Sequence, residues 1–288
     1  MKFRIRFFLS LLFFISNCDV ASSKSESKNL LPLLLGVNVS EDAVCPPKSG
    51  LRDFAIATQV VDAPGANPNI AFGDPKKATN GVCGDGQFSG SFDVYSFSRY
   101  LTLGWNGGKV KNITGVDFIV YENGFQVAGT AESYFMEPFF VEVGNDKIRW
   151  CGFNPRYSGS LSFSSAKRKD WERFGGLTPV LWNMGKNKFS VSELFSSASS
   201  EGYMNVGGGD GFDLDNLTVD NSSYGISLGC DTNYLNELRS YGFSYLRMTS
   251  VQERTGAGSG GDVIPKPHNS FDSKVDIDGV LAKLVQTN

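Results

Sequence analysis

Phe212-Asp213-Leu214-Asp215-Asn216-Leu217 and Val275-Asp276-Ile277-Asp278-Gly279-Val280 each set two carboxylates two residues apart within an apolar run. Read as strands, period-2 alternation puts Asp213 with Asp215, and Asp276 with Asp278, on a common face. Like charges so placed repel, so such a pair calls for a cation, a lysine or backbone N–H donors opposite it. Gly207-Gly208-Gly209-Asp210-Gly211 precedes the first pair and lets backbone carbonyls approach an ion. The chemistry expected is a hard-cation site, a structural Ca²⁺ site above all. Its oxygen ligands would come from Asp210, Asp213, Asp276, Asp278, Asp117 and Glu122, with Asp74 and Asp93 as further candidates. The alternative is turn chemistry, because Asp and Gly are the commonest loop residues of secreted β proteins. The spacing is not that of an EF-hand, whose fifth position counted from Asp213 would be Leu217.

Catalytic constellations are missing from the sequence. There is no Gly-x-Ser-x-Gly, His-Glu-x-x-His or P-loop, and the single histidine, His268, lies in a Pro- and Gly-rich stretch. Glycoside hydrolysis is the enzyme-class alternative, with Glu122 and Glu142 or an aspartate standing roughly 5 to 10 Å apart. A binding protein is the preferred reading. For a sugar-binding surface, Trp171 in Lys167-Arg168-Lys169-Asp170-Trp171-Glu172-Arg173 is the tryptophan expected to be accessible; Trp105 and Trp150 end apolar runs and read as core.

The element that must hold Asp117 and Glu122 is Gly115 to Phe125, an almost unbroken run of β-branched and aromatic residues between two carboxylates, ended by Asn123-Gly124. It predicts a central strand covered on both faces. Gly is frequent (33 residues), as is Phe (23), and no long stretch sustains a 3.6-residue apolar period, so the fold is expected to be mostly β. Strands are predicted at 54–61, 91–97, 100–105, 116–121, 139–143, 148–153, 226–228, 245–251 and 275–284. Residues 154–233 read as a long, loop-rich, peripheral insertion, with short helices at 191–196 and at 232–241, the second capped by Asp231 or Thr232. The formal charge of −3, with both signs interspersed, leaves no basic face for nucleic acid.

The first 17 residues have a positive start (Lys2, Arg4, Arg6), an apolar run from Phe7 to Ile15, and then Ser16-Asn17-Cys18. That is the layout of a secretory signal. The ending resembles a bacterial lipobox of the spirochaete type, which implies that Cys18 is the acylated, palmitate-bearing N-terminus. A plain signal peptide cut elsewhere is the alternative. Residues 18–50 read as a polar tether interrupted by Leu30 to Leu35, and 51–288 as one β-sandwich. The remaining cysteines, Cys45, Cys83, Cys151 and Cys230, are even in number, as suits an oxidising compartment. Pairing Cys45 with Cys83 and Cys151 with Cys230 is favoured because each pair closes a loop within one half of the chain. Zinc is disfavoured by the lack of Cys-x-x-Cys.

Asn69-Ile70-Ala71-Phe72-Gly73-Asp74-Pro75, Ser91 to Phe97, Tyr100 to Leu103, Asp117 to Phe125, Phe140 to Val143, Gly176 to Val180, Gly208 to Leu214, Tyr245 to Thr249 and Val275 to Val280 occur in that order. Together, over about residues 51 to 285, they resemble a family of bacterial cell-surface proteins that includes leptospiral lipoproteins. Its members look like relatives of the discoidin-like, galactose-binding jelly roll. The resemblance implies a jelly-roll-like sandwich and an outer-membrane location in the cell envelope, anchored to the lipid bilayer by N-terminal acyl chains. It also implies a glycan, lipid or host-matrix ligand and, often, a structural Ca²⁺. It implies no activity. The long stretch 252–274 before the final Asp-x-Asp segment departs from the simpler members.

Overall fold

Short runs of aromatic and β-branched residues, each broken by Gly, Pro, Asn or Asp, produce short strands throughout. The computed structural model describes residues 55–70, 72–82, 91–94, 98–122, 125–126, 134–159, 168–184, 189–197, 205–219, 226–251 and 275–287. In chain order the strands are β1 (Ala55–Ile56), β2 (Gln59–Asp62), β3 (Phe92–Asp93), β4 (Leu101–Gly104), β5 (Gly108–Val110), β6 (Phe118–Glu122), β7 (Phe125–Gln126) and β8 (Tyr134–Phe135). They continue as β9 (Phe139–Gly144), β10 (Cys151–Gly152), β11 (Arg156–Tyr157), β12 (Trp171–Glu172), β13 (Asp210–Phe212), β14 (Tyr245–Ser250), β15 (Asp276–Ala282) and β16 (Val285–Thr287). Among the described residues two α-helices, α1 (Val191–Leu194) and α2 (Thr232–Tyr241), match the predicted ones. Asp231 caps α2, its side chain accepting from the Tyr234 N–H.

Two antiparallel sheets carry the fold. The first has the order β1-β15-β6-β13, with β3 also paired to β15; the second has the order β10-β9-β14-β4-β2. Phe118, Val120, Phe212, Ile277 and Val280 of the first share one core with Leu101, Leu103, Val141, Val143, Leu246 and Met248 of the second. Each such side chain contributes about 1.5–3 kcal/mol on burial. The protein is therefore mostly β, a sandwich. Phe118 sits near its middle, stacked on Phe212 at 5.4 Å and edge-on to Phe153 and Phe243. As the sequence predicts, β6 is central, paired on one side with β15 and on the other with β13, and all five of its residues are buried.

Three departures from expectation have local causes. The segment 226–228 is a turn, because Ser227 (φ 63°) and Gly229 (φ 69°) are both left-handed. The strand predicted at 148–153 shrinks to β10, because the Asp146 carboxylate takes the N–H groups of Ile148 and Arg149 and folds them into a turn. The stretch 154–233 is not wholly peripheral. Its β13 lies beside β6, Leu214 and Leu217 enter the main core, and Tyr157, Trp171, Phe174 and Leu177 form a second apolar cluster with Phe140 and Val251.

Candidate functional site

β6 delivers a carboxylate to each end of the first sheet, and the two ends differ in chemistry. Glu122, at its C-terminal end, is 2 % exposed. It is in register with Ile277 of β15, one residue from Asp276, which is itself in register with Asp93 of β3. Glu137 enters from the segment before β9, and its Oε2 accepts the Asp276 N–H at 3.4 Å. Four carboxylates from four segments thus approach one end of the sheet. Neither oxygen of Glu122 has a hydrogen-bond donor among the described residues; its contact is with the Glu137 carboxyl, which can bond to it only by sharing a proton. Burial, followed by the charge of Glu137, holds the Glu122 carboxyl well above the ordinary range. Glu137 is raised in the same direction, first by burial and then by Asp276. An unpaired carboxylate in such a place costs several kcal/mol, so a proton or a cation is required there.

Asp210 stands beside this cluster but is already satisfied. In register with Val120, it accepts from Leu177 N (2.8 Å) and Thr178 Oγ1 (2.8 Å), and pairs with Arg168 Nη2 at 3.3 Å. The segment carrying those partners closes the end of the sandwich. It is tied to β9 through Gly175 and Phe139, and a Cβ on Gly175 would stand 2.3 Å from the Phe139 ring. Asp278 is buried near Tyr121, at an irregularity where β15 slips register between Ile277 and Gly279. That slip upsets the alternation from which a common Asp276–Asp278 face was expected.

The aspartates at the other end do something else. Asp213 is not in a strand: its carboxylate accepts the Asp215 N–H and caps a short 3₁₀ turn, Leu214–Asn216. The expected convergence of Asp213 with Asp276 and Asp278 therefore does not occur, and the pairing of Asp213 with Asp215 is turn chemistry. Asp74 likewise caps a 3₁₀ turn through the Lys76 N–H. Asp117 is buried and clamps three segments. Its carboxylate accepts from Ile113 N and Leu214 N, both at 2.7 Å, and its carbonyl accepts from Lys283 N. Among the described residues no three His, Cys, Asp or Glu side chains form a ready-made metal cage.

Burial raises Asp117 to about 6, against the pull of its two N–H donors. A carboxyl raised above its unfolded value of 3.8 keeps in the folded state a proton that the unfolded chain has lost. Its contribution to stability is therefore full below about pH 4 and is lost as pH rises through about 6. Asp117→Asn turns an N–H donor toward Ile113 or Leu214 and should cost about 1–3 kcal/mol. That penalty should grow as pH falls from 7 to 4, because the wild-type group gains and asparagine does not. Urea unfolding of both proteins at the two pH values measures it.

Glu142, considered above as a partner for Glu122, lies on the second sheet and is committed elsewhere. It is fully buried (0 % exposed); its Oε2 takes Nε (3.0 Å) and Nη2 (2.8 Å) of Arg247, and its Oε1 the Ser227 N–H (2.8 Å). Trp171 is 2 % exposed, packed on Tyr157 and Phe174, and so is not the accessible ring expected from its charged neighbours. The Cys151–Cys230 disulfide is present. Cys18, Cys45, Cys83, the signal and the tether lie outside the described residues. Two participants went unnoticed as site residues in the sequence. Glu137 sits in Met136-Glu137-Pro138, where the proline holds the preceding residue extended, and Arg247 sits as a lone cation in the apolar run Tyr245-Leu246-Arg247-Met248.

No protein-family model matches this chain, and no curated protein matches it.

Proposed function

We propose that this protein is a lipid-anchored binding module of the bacterial cell envelope. A jelly-roll-like sandwich would be carried at the outer membrane on Cys18, with a glycan, matrix or envelope ligand. The sandwich takes a hard cation, Ca²⁺ in the first instance, between Glu122, Glu137, Asp276 and Asp93. The observation that carries the cation is Glu122, a buried carboxylate with no donor on either oxygen among the described residues, set against the half-buried Glu137 carboxyl. All four donors are hard oxygens, the set that Ca²⁺ prefers. Three of these donors, Glu122, Asp276 and Asp93, are among those the sequence suggested and Glu137 is new, whereas Asp210 is paired with Arg168 and Asp117 and Asp213 serve the opposite end. The hydrolase alternative is weaker, because Glu122 and Glu137 touch, whereas glycoside hydrolysis needs carboxyls at least about 5 Å apart.

The test is thermal. Protein stripped of metal should melt lower in chelator than in millimolar Ca²⁺. At free Ca²⁺ one hundred times the dissociation constant the gain is about 2.7 kcal/mol, or roughly 5 to 10 °C for a domain of this size. Glu122→Gln removes one ligand and one like charge, so it should raise the melting point in chelator and abolish the Ca²⁺ increment. A wild-type melting curve indifferent to Ca²⁺ would remove the cation. Reducing-sugar release lost in Glu122→Gln would favour the hydrolase.

A further inference from the structure

The outer face of the second sheet carries side chains that the cation site does not use. β14 is its middle strand, and Tyr245 and Arg247, two residues apart, share the outer face with Glu142 in register beside Arg247. Both are only half-buried. The Arg247 guanidinium lies on the Trp150 ring at 4.4 Å and faces the Tyr100 ring at 5.7 Å. Its Nε and Nη2 are taken by Glu142, and 11 % of the side chain remains exposed. Tyr100, half-buried, donates its hydroxyl to Asp62 at 2.7 Å, which fixes the ring. Beside Tyr245 the exposed Lys147 holds its ammonium 4.9 Å above the ring.

We infer that this face is a glycan site selective for carboxylate-bearing sugars. Two half-exposed tyrosine rings offer faces on which pyranose C–H groups pack, and each is braced, by Asp62 or by Lys147. The exposed Lys147 supplies the cationic donor at the rim, with the partly exposed Arg247 behind it, and an ammonium bonded to a carboxylate gives the stronger, charge-assisted hydrogen bond. Arg247 is held over Trp150 and bonded to Glu142 before any ligand arrives, so little side-chain freedom is lost on binding. The ligand class follows from the rim charge: Arg247 is already balanced by Glu142, and a uronate carboxylate supplies the anion for the exposed Lys147, which a neutral sugar does not. The inference rests on the binding-module reading and names the ligand and surface for it.

The full chain in detergent, with hyaluronate oligosaccharides as the probe and the same oligosaccharides carboxyl-reduced as comparator, tests it by calorimetry. The expected result is binding that weakens at least about tenfold on carboxyl reduction and about tenfold in Lys147→Glu. The exposed Lys147 can be changed without altering the melting point, and Lys169→Glu, on another exposed turn, should leave affinity unchanged. Tyr245→Ala should weaken binding, and Tyr245→Phe should restore it. Equal affinity for the reduced oligosaccharide, or indifference to Lys147→Glu, overturns the site. Binding of a neutral glycan or a matrix protein alone, on an array run in parallel, overturns the site and leaves the binding-module reading standing. Silence across the whole array overturns both.

Discussion

Replacing Arg247 with methionine is expected to destabilise the domain by about 3–5 kcal/mol, because it removes the cation that pairs with the buried Glu142 carboxylate. Glu142 is fully buried, and the Arg247 guanidinium pairs with it at 2.8 Å. The thioether fills much of the same volume against Trp150, so the loss is chiefly electrostatic rather than a cavity. At roughly 2–4 °C per kcal/mol, the melting point should fall by about 10 °C. Glu142→Gln in the same chain should recover most of it. A neutral amide still offers Oε1 to the Ser227 N–H, and breaking an ion pair at both ends costs far less than breaking it at one. Urea midpoints of the two single variants and the double variant give the coupling directly. If Arg247→Met alone were as mild as the double variant, the pair would be a surface contact and not a buried one.

The pair also shows which part of this molecule is written in local pattern. Strands β6, β9, β14 and β15 were legible because each is a run of β-branched or aromatic residues long enough to cross the core. Helix α2 was legible from its Asp231 cap. What the sequence concealed lies where side chains override alternation. Asp213-Leu214-Asp215 looks like a strand with one acidic face, yet the Asp213 carboxylate captures the Asp215 N–H and turns the chain, a choice strands and caps offer the same residue type. Trp171 looked exposed because its neighbours are charged. In β12 the alternation sends Glu172 outward and the ring inward, onto Tyr157 and Phe174.

The candidate cation cluster failed to read out for a different reason. Asp276, Glu122 and Asp93 were visible as candidates, but Glu137 comes from 15 residues beyond Glu122, outside every predicted strand. Only the antiparallel registers of β15 with β6 and with β3 bring them to one end. Long-range register is set by the whole sheet and leaves no trace in a local spacing. The same holds for Arg168, whose partner Asp210 is 42 residues away.

Reducing the Cys151–Cys230 bond is expected to cost about as much as breaking the buried ion pair. The two residues are 79 apart in sequence, and closing a loop of that length removes about 4.5 kcal/mol of chain entropy from the unfolded state, with 2–5 kcal/mol the usual measured loss. The bond joins edge strand β10 to the residue just before the Asp231 cap of α2, across the turn whose Ser227 N–H serves Glu142. That turn also accepts the Trp150 N–H through the Leu228 carbonyl at 2.8 Å, and donates the Cys230 N–H to the Ser227 carbonyl. Ser227 and Gly229 hold left-handed backbone there, a conformation that an untethered chain would leave readily. The Cys151→Ser/Cys230→Ser variant should therefore lose global stability and, before it unfolds, should exchange the Trp150 and Ser227 amides faster than those of β6. Hydrogen exchange read residue by residue, with urea unfolding alongside, separates the two effects. Equal melting of the oxidised and double-serine proteins would mean that β10 and the turn hold together without the bond.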